Sequence, residues 1–136
     1  MRLLLGLAML VLALASVAGA ATPVTATMTT SARFPVVGQH WRFAVTAKSA
    51  AGRPLPARMR LQVVRRGTVI GCWKRAVIKP CTGANAGTWI VFGGKRSGVI
   101  AWPARWLGMK LTFEALVVAD EQMLRLRAPI TIQPKP

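Results

Sequence analysis

Alternation of apolar and polar residues with a period of two recurs along this chain, and the 3.6-residue spacing of an amphipathic helix does not. Val24, Ala26 and Met28 alternate with Thr25, Thr27 and Thr29; Trp41, Phe43, Val45 and Ala47 alternate with Arg42, Ala44, Thr46 and Lys48. Met59, Leu61 and Val63 alternate with Arg58, Arg60 and Gln62. Further on, Leu111, Phe113, Ala115 and Val117 alternate with Lys110, Thr112 and Glu114, and Leu124 and Leu126 with Arg125 and Arg127. Successive side chains of a strand point to opposite faces, so each run predicts a strand with one oily and one wet side, as in antiparallel sheets. Shorter candidates lie at 68–73, at 88–92 and 98–102 around Gly93-Gly94, and at Ile130 and Ile132 before Pro134. Turn chemistry separates the runs at 49–54, at Arg65-Arg66-Gly67 and at Asp120-Glu121-Gln122. Residues 74–86 are less regular, broken by Pro80, Gly83 and Asn85. Seven to eight short strands with a turn about every ten residues predict an all-β fold, an antiparallel β-sandwich.

The amino terminus obeys different rules. Arg2, the apolar run at 3–15 and the small-residue end Ala18-Gly19-Ala20 read as a secretory signal helix over 1–20, cleaved after Ala20. The alternative is an uncleaved anchor, but no charged residue appears from 3 to 32 and only Arg2 is available on the inner flank. Residues 21–136 then form one domain, enough chain for a single core. Nineteen Lys and Arg face three carboxylates, Glu114, Asp120 and Glu121, for a net charge of +16 that becomes +15 once Arg2 is lost. Such a surface attracts polyanions over a range of about 8 Å at physiological salt.

Cys72 and Cys81 are the only thiols. In an oxidising compartment the simplest reading is a disulfide, and closing a ring of about ten residues stabilises by roughly 2.7 kcal/mol in the loop-entropy model. Two free buried thiols remain open, as does a redox or metal site, although zinc wants about four ligands and His40 is the only histidine.

Several short motifs are similar to the strand and turn signature of small exported bacterial immunoglobulin-like domains. They are Pro35-Val36-Val37-Gly38, Trp41-x-Phe43-x-Val45, Gly52-x-Pro54-Leu55-x-Ala57, Trp102-Pro103 and Leu107-Gly108-x-x-Leu111-Thr112-Phe113-x-Ala115. The resemblance covers about 21–133 and implies an immunoglobulin-like sandwich acting as an adhesive, spacer or ligand-presenting module without catalysis. The chain departs from antibody-type domains in having closely spaced cysteines and no tyrosine.

Trp41, Trp73, Trp89, Trp102 and Trp106 admit a stacking platform for sugars or bases. Packing is the plainer expectation: Trp41 and Trp102 belong to the core, and Trp73 and Trp89 cover the cysteine segment. Trp106, in the loop 103–108, admits a surface contact. In a sandwich of this kind the third, sixth and seventh strands share a sheet. Arg58, Arg60, Lys110, Arg125 and Arg127 would then form an outer-face stripe interrupted only by Glu114. That stripe is either a polyanion-binding face or an ordinary solvated one. The carboxylates do not make an opposed acid and base pair, His40 advertises no orienting partner, and Gly93-Gly94-Lys95 is no phosphate loop.

These readings predict a non-catalytic, secreted or envelope-associated module without cofactor or metal, attracted to an anionic envelope polymer or lipid surface, with no specific nucleic acid. The alternative is a structural or partner-binding subunit whose charge serves only solubility. In that case the segment 116–118, apolar on both faces, is hidden under a second chain or simply central in its sheet.

Overall fold

The computed structural model describes residues 23–81 and 87–136, so the predicted signal, the anchor alternative and the breakers Gly83 and Asn85 lie outside the described residues. Nine strands follow one another: β1 (Thr25–Thr30), β2 (His40–Lys48), β3 (Pro56–Arg65), β4 (Thr68–Lys74), β5 (Val77–Pro80), β6 (Ile90–Gly93), β7 (Lys95–Ala101), β8 (Lys110–Ala119) and β9 (Gln122–Thr131). The one helical element among the described residues is a 3-10 turn, Ala104–Trp106. Every strictly alternating run is a strand. β5 is the addition: it lies in the stretch whose pattern Pro80 obscures.

Two-residue hairpins join β3 to β4, β4 to β5 and β8 to β9. Their central residues have positive φ: Arg66 (48°) and Gly67 (78°), Arg75 (49°) and Ala76 (65°), Asp120 (48°) and Glu121 (61°). This is the type I′ pattern, whose twist matches that of the flanking strands. Three of the four connections to β4 and β8 are thus as tight as a chain allows, which pins register.

Hydrogen bonding runs in one continuous path, β1-β2-β7-β5-β4-β3-β8-β9, with β6 on the β4 side of β3. Two layers face each other, β1-β2-β7 against β4-β3-β8-β9, yet β5 joins them along one side. Its bond to β7 is parallel, Val77 opposite Ala101. The expectation of a purely antiparallel sandwich is therefore corrected to a mixed, barrel-like sheet. The physical reason is the tight Arg75-Ala76 turn, which folds β5 back along β4 and carries its first residue to the end of β7. On the other side the connection after β1 stitches to the end of β9: Gln133 N donates to Pro35 O at 2.8 Å and Val37 N to Gln133 O at 3.0 Å.

The inward residues fill the interior with aromatic rings that meet edge to face or tilted. Phe113 of β8 lies 5.2 Å from Trp41 and 5.3 Å from Phe43 of β2, and 6.0 Å from Trp102. Phe43 meets Trp73 of β4 at 5.5 Å. Trp41 and Trp102 are core residues as expected. Trp106 is also buried, so the surface contact it admitted is corrected: its ring fills the space that a side chain at Gly71 would need. Cys72 and Cys81 are bonded, with Cα atoms 5.8 Å apart, tying the end of β5 to β4. That bond removes the free-thiol reading.

Gly98 of β7 admits Phe43 over its backbone, because an added Cβ would stand 2.4 Å from the ring. Gly98→Ala is therefore expected to destabilise the fold by about 2 kcal/mol, as overpacking does. The check is a lower urea midpoint at unchanged slope; an unaltered midpoint would show that the ring is not held there.

Candidate functional site

The outer surface of the β3-β8-β9 layer carries the side chains that alternate with the core. Register aligns them in cross-strand rows: Arg58, Val118 and Met123; Arg60, Leu116 and Arg125; Gln62, Glu114 and Arg127; Val64, Thr112 and Pro129. Val91 of β6 extends the first row beyond Arg58, and Cys72 of β4 extends the third beyond Gln62. Four of the five predicted cations, Arg58, Arg60, Arg125 and Arg127, thus share one face on adjacent strands. Lys110 points to the same side but sits four residues from Glu114, about 13 Å along the strand. It lines a separate cleft with Arg65, Arg66 and the exposed Leu107. The five-cation stripe is therefore four cations and an outlier.

Glu114 does more than interrupt the row. Its carboxylate is buried at the centre of the face, with a side chain 3 % exposed. Gln62 Nε2 donates to Oε1 at 2.5 Å, Arg125 Nη1 to Oε1 at 3.2 Å and Arg127 Nε to Oε2 at 3.0 Å. The two arginines remain half open to water, 50 % and 61 % exposed. One carboxylate therefore fixes two guanidinium planes and neutralises one charge, while the remaining N–H groups are available to an outside anion. A concavity of about 340 Å³ opens here, lined by Gln62, Thr112, Glu114, Arg125 and Arg127 among others. Burial pushes the Glu114 carboxyl up, but the hydrogen bonds from Arg127 and Gln62 and the charges of Arg125 and Arg127 outweigh it and hold the group below its ordinary value.

Trp89 completes the face. Its ring lies 4.5 Å from the Arg60 guanidinium carbon and 4.9 Å from that of Arg58. Arg60 is buried against it, 8 % exposed. Trp89 therefore covers two arginines, and Trp73 is a core-facing residue on Phe43; the cysteine segment they were expected to cover lies partly, at 82–86, outside the described residues. The five-tryptophan platform dissolves, since Trp41, Trp73, Trp102 and Trp106 are all buried. Gln62 and Trp89 are the members that sequence reading missed. Gln62 sits at an outward position between cations, a usable signal, whereas Trp89 lies in a stretch without periodicity.

The segment 116–118 is central, flanked by β3 and β9, with Leu116 buried and Val118 partly so. His40 is exposed at the start of β2 beside Ala101, and no group of three or more His, Cys, Asp or Glu gathers for a metal among the described residues.

No family model matches this sequence, and no curated protein sequence does either. Solved structures that align with this chain include the CARDB domain of a Pyrococcus furiosus protein, crystallised in complex with di-metal ions, at 12 % identity and a TM-score of 0.47 over 81 % of this chain and 87 % of that one. A DUF4466 family protein from Parabacteroides merdae aligns at 12 % identity and a TM-score of 0.49, over 79 % of this chain and 44 % of the other. A β-glucosidase from Listeria innocua, in complex with glucose, aligns at 8 % identity and 0.32, over 82 % of this chain and 17 % of that one.

The chemistry open to the face follows from its own residues. Below its ordinary value of 4.5 an unfolded Glu114 takes up protons before the folded one, so its contribution is complete above about that pH and is lost as pH falls through the depressed folded value. Glu114→Gln is expected to lower stability at pH 7 by about 1 to 2 kcal/mol, the half-exposed arginines limiting the loss. It should also flatten the decline in urea midpoint below pH 4.5. Parallel pH profiles for the two proteins would disprove the assignment.

Proposed function

We propose that this chain is an exported immunoglobulin-like β-sandwich module, its signal at 1–20 removed near Ala20, that works at the cell envelope by binding an anionic polymer or lipid surface. It does so without catalysis, through the outer face of β3, β8 and β9. The observation that carries the reading is the Glu114 cluster. A buried carboxylate holding two half-exposed arginines in fixed planes is an expensive arrangement for a face whose only task is solubility. Trp89 orders Arg58 and Arg60 on the same face, and Val91, 81 % exposed, and Met123, 61 % exposed, set apolar groups beside the cations. A charged face with an apolar margin suits lipid headgroups or polymer phosphates better than plain water.

The immunoglobulin-like description is supported by the packing motifs around Trp41, Phe43 and Phe113 and by the two facing layers. The Cys72–Cys81 bond is consistent with a location outside the cytosol. Against the alternative of a subunit whose second chain hides 116–118, the central position of β8 already accounts for that apolar stretch.

Retention on an anionic column at low salt is expected for the oxidised chain, and the location of the contact is read from variants. Replacing Arg58, Arg125 and Arg127 together with alanine should reduce the slope of log affinity for long-chain polyphosphate against log salt by roughly one per cation removed. Replacing Arg42, Lys48 and Lys95, on the outer face of the β1-β2-β7 layer, removes equal charge and should reduce it by less. Equal losses from both triples would mean that net charge alone attracts, and the face would have no special role.

A further inference from the structure

A second site lies where the two layers part. β7 bonds β5 at Val77 and Ala101 alone, so its first half has β2 on one edge and no ladder on the other among the described residues. The register places Arg96, Gly98 and Ile100 on the core-facing side of β7, opposite Val45, Phe43 and Trp41. Arg96 has core-facing parity but stands exposed at the open end of the strand, while the bare backbone of Gly98 is covered by the Phe43 ring. Beside Arg96 opens a cleft of about 250 Å³, lined by Trp73, Lys74, Arg75, Thr88, Ile90 and Arg96. Trp73 and Ile90 reach it from the core side, as inward residues of β4 and β6. The Trp73 indole is fixed by donating Nε1–H to Val99 O at 3.4 Å.

Three cations stand at this opening, and none has an ion-pair partner among the described residues. No carboxylate lines it. Arg75 is held there by the tight turn with Ala76, both residues at positive φ. A small apolar cleft with a convergent positive rim has one complementary ligand class.

We propose that this cleft binds a small amphipathic anion free in solution, its apolar body against Trp73 and Ile90 and its carboxylate or phosphate head among Lys74, Arg75 and Arg96. The volume lies just below the roughly 300–1,000 Å³ of pockets for drug-sized ligands, so the body is short. The site goes beyond the outer-face reading and stands on different residues, so either can fail alone.

The test uses octanoate on the oxidised full chain, with octanol and acetate as controls, read from the indole N–H resonances. The Trp73 signal is identified by its loss in Trp73→Phe. Octanoate should move it saturably, acetate should not, and octanol should bind at least about tenfold more weakly, as expected for loss of charge-assisted hydrogen bonds. Arg96→Ala and Lys74→Ala should each weaken octanoate about tenfold. Arg65→Ala, a cation in the separate cleft with Lys110, should leave it unchanged. A stationary Trp73 signal, octanol equal to octanoate, or Arg65→Ala as damaging as Arg96→Ala would each overturn the proposal.

Discussion

Phe113 is where the two layers meet, touching Trp41, Phe43 and Trp102 edge-on or tilted, and the rest of the molecule is registered against that contact. Because side chains alternate with a period of two, a slip of β8 by one residue would exchange Phe113 for Thr112 or Glu114 in the core. Burying an unpaired carboxylate there costs several kcal/mol, so slipped registers are excluded by charge as well as by lost aromatic packing. The same alternation that seats Phe113 delivers Glu114 to the outer face opposite Gln62 and Arg127. Core and site are two consequences of one parity.

The chain is short of carboxylates, which makes the place of each one informative. Asp120 and Glu121 occupy a hairpin tip, where positive φ and solvent are the governing demands. Glu114 alone is spent inside a sheet face, and it is spent on arginines. In a chain with this excess of cations, a guanidinium without a fixed partner samples many rotamers, and ordering it on a ligand costs entropy. The carboxylate and the Trp89 ring have already met part of that cost for four arginines. The outer face of the other layer differs: Thr25, Thr27, Thr29, Ala44, Thr46 and Ser97 dominate it, Thr27 and Thr46 bonding to each other, and its cations Arg42, Lys48 and Lys95 have no such scaffold.

How much of this the sequence discloses depends on how local each feature is. β2, β3, β8 and β9 are legible because Trp41, Met59, Phe113 and Leu124 each begin or extend a run long enough to fix parity. The sharing of a face by Arg58, Arg60, Arg125 and Arg127 follows from parity plus strand order, and both are readable. β5 is not, since four residues ending in Pro80 carry too little pattern, and its parallel bond to β7 depends on where a turn sends the chain. Trp106 looks like a loop residue; only the vacancy above Gly71 makes it a core residue. The burial of Arg60 likewise depends on Trp89, a contact made across 29 positions of sequence separation that no local window contains.

Departures from the pattern then carry their own information, because a fold satisfies local rules unless something else is being satisfied. Two such departures meet at one place. Arg96 takes the core-facing parity of β7 at its exposed end, and Arg75-Ala76 adopts left-handed geometry without glycine, at a cost on the order of 1 kcal/mol per residue. The Asp120-Glu121 turn bears a similar cost, so strain by itself singles out nothing. What distinguishes the Arg75 turn is its setting beside Arg96 and Trp73, at an opening onto the aromatic core. A gap between two otherwise closely packed layers, walled by tryptophan and rimmed by cations without ion-pair partners among the described residues, is the feature that the proposed anion would complete.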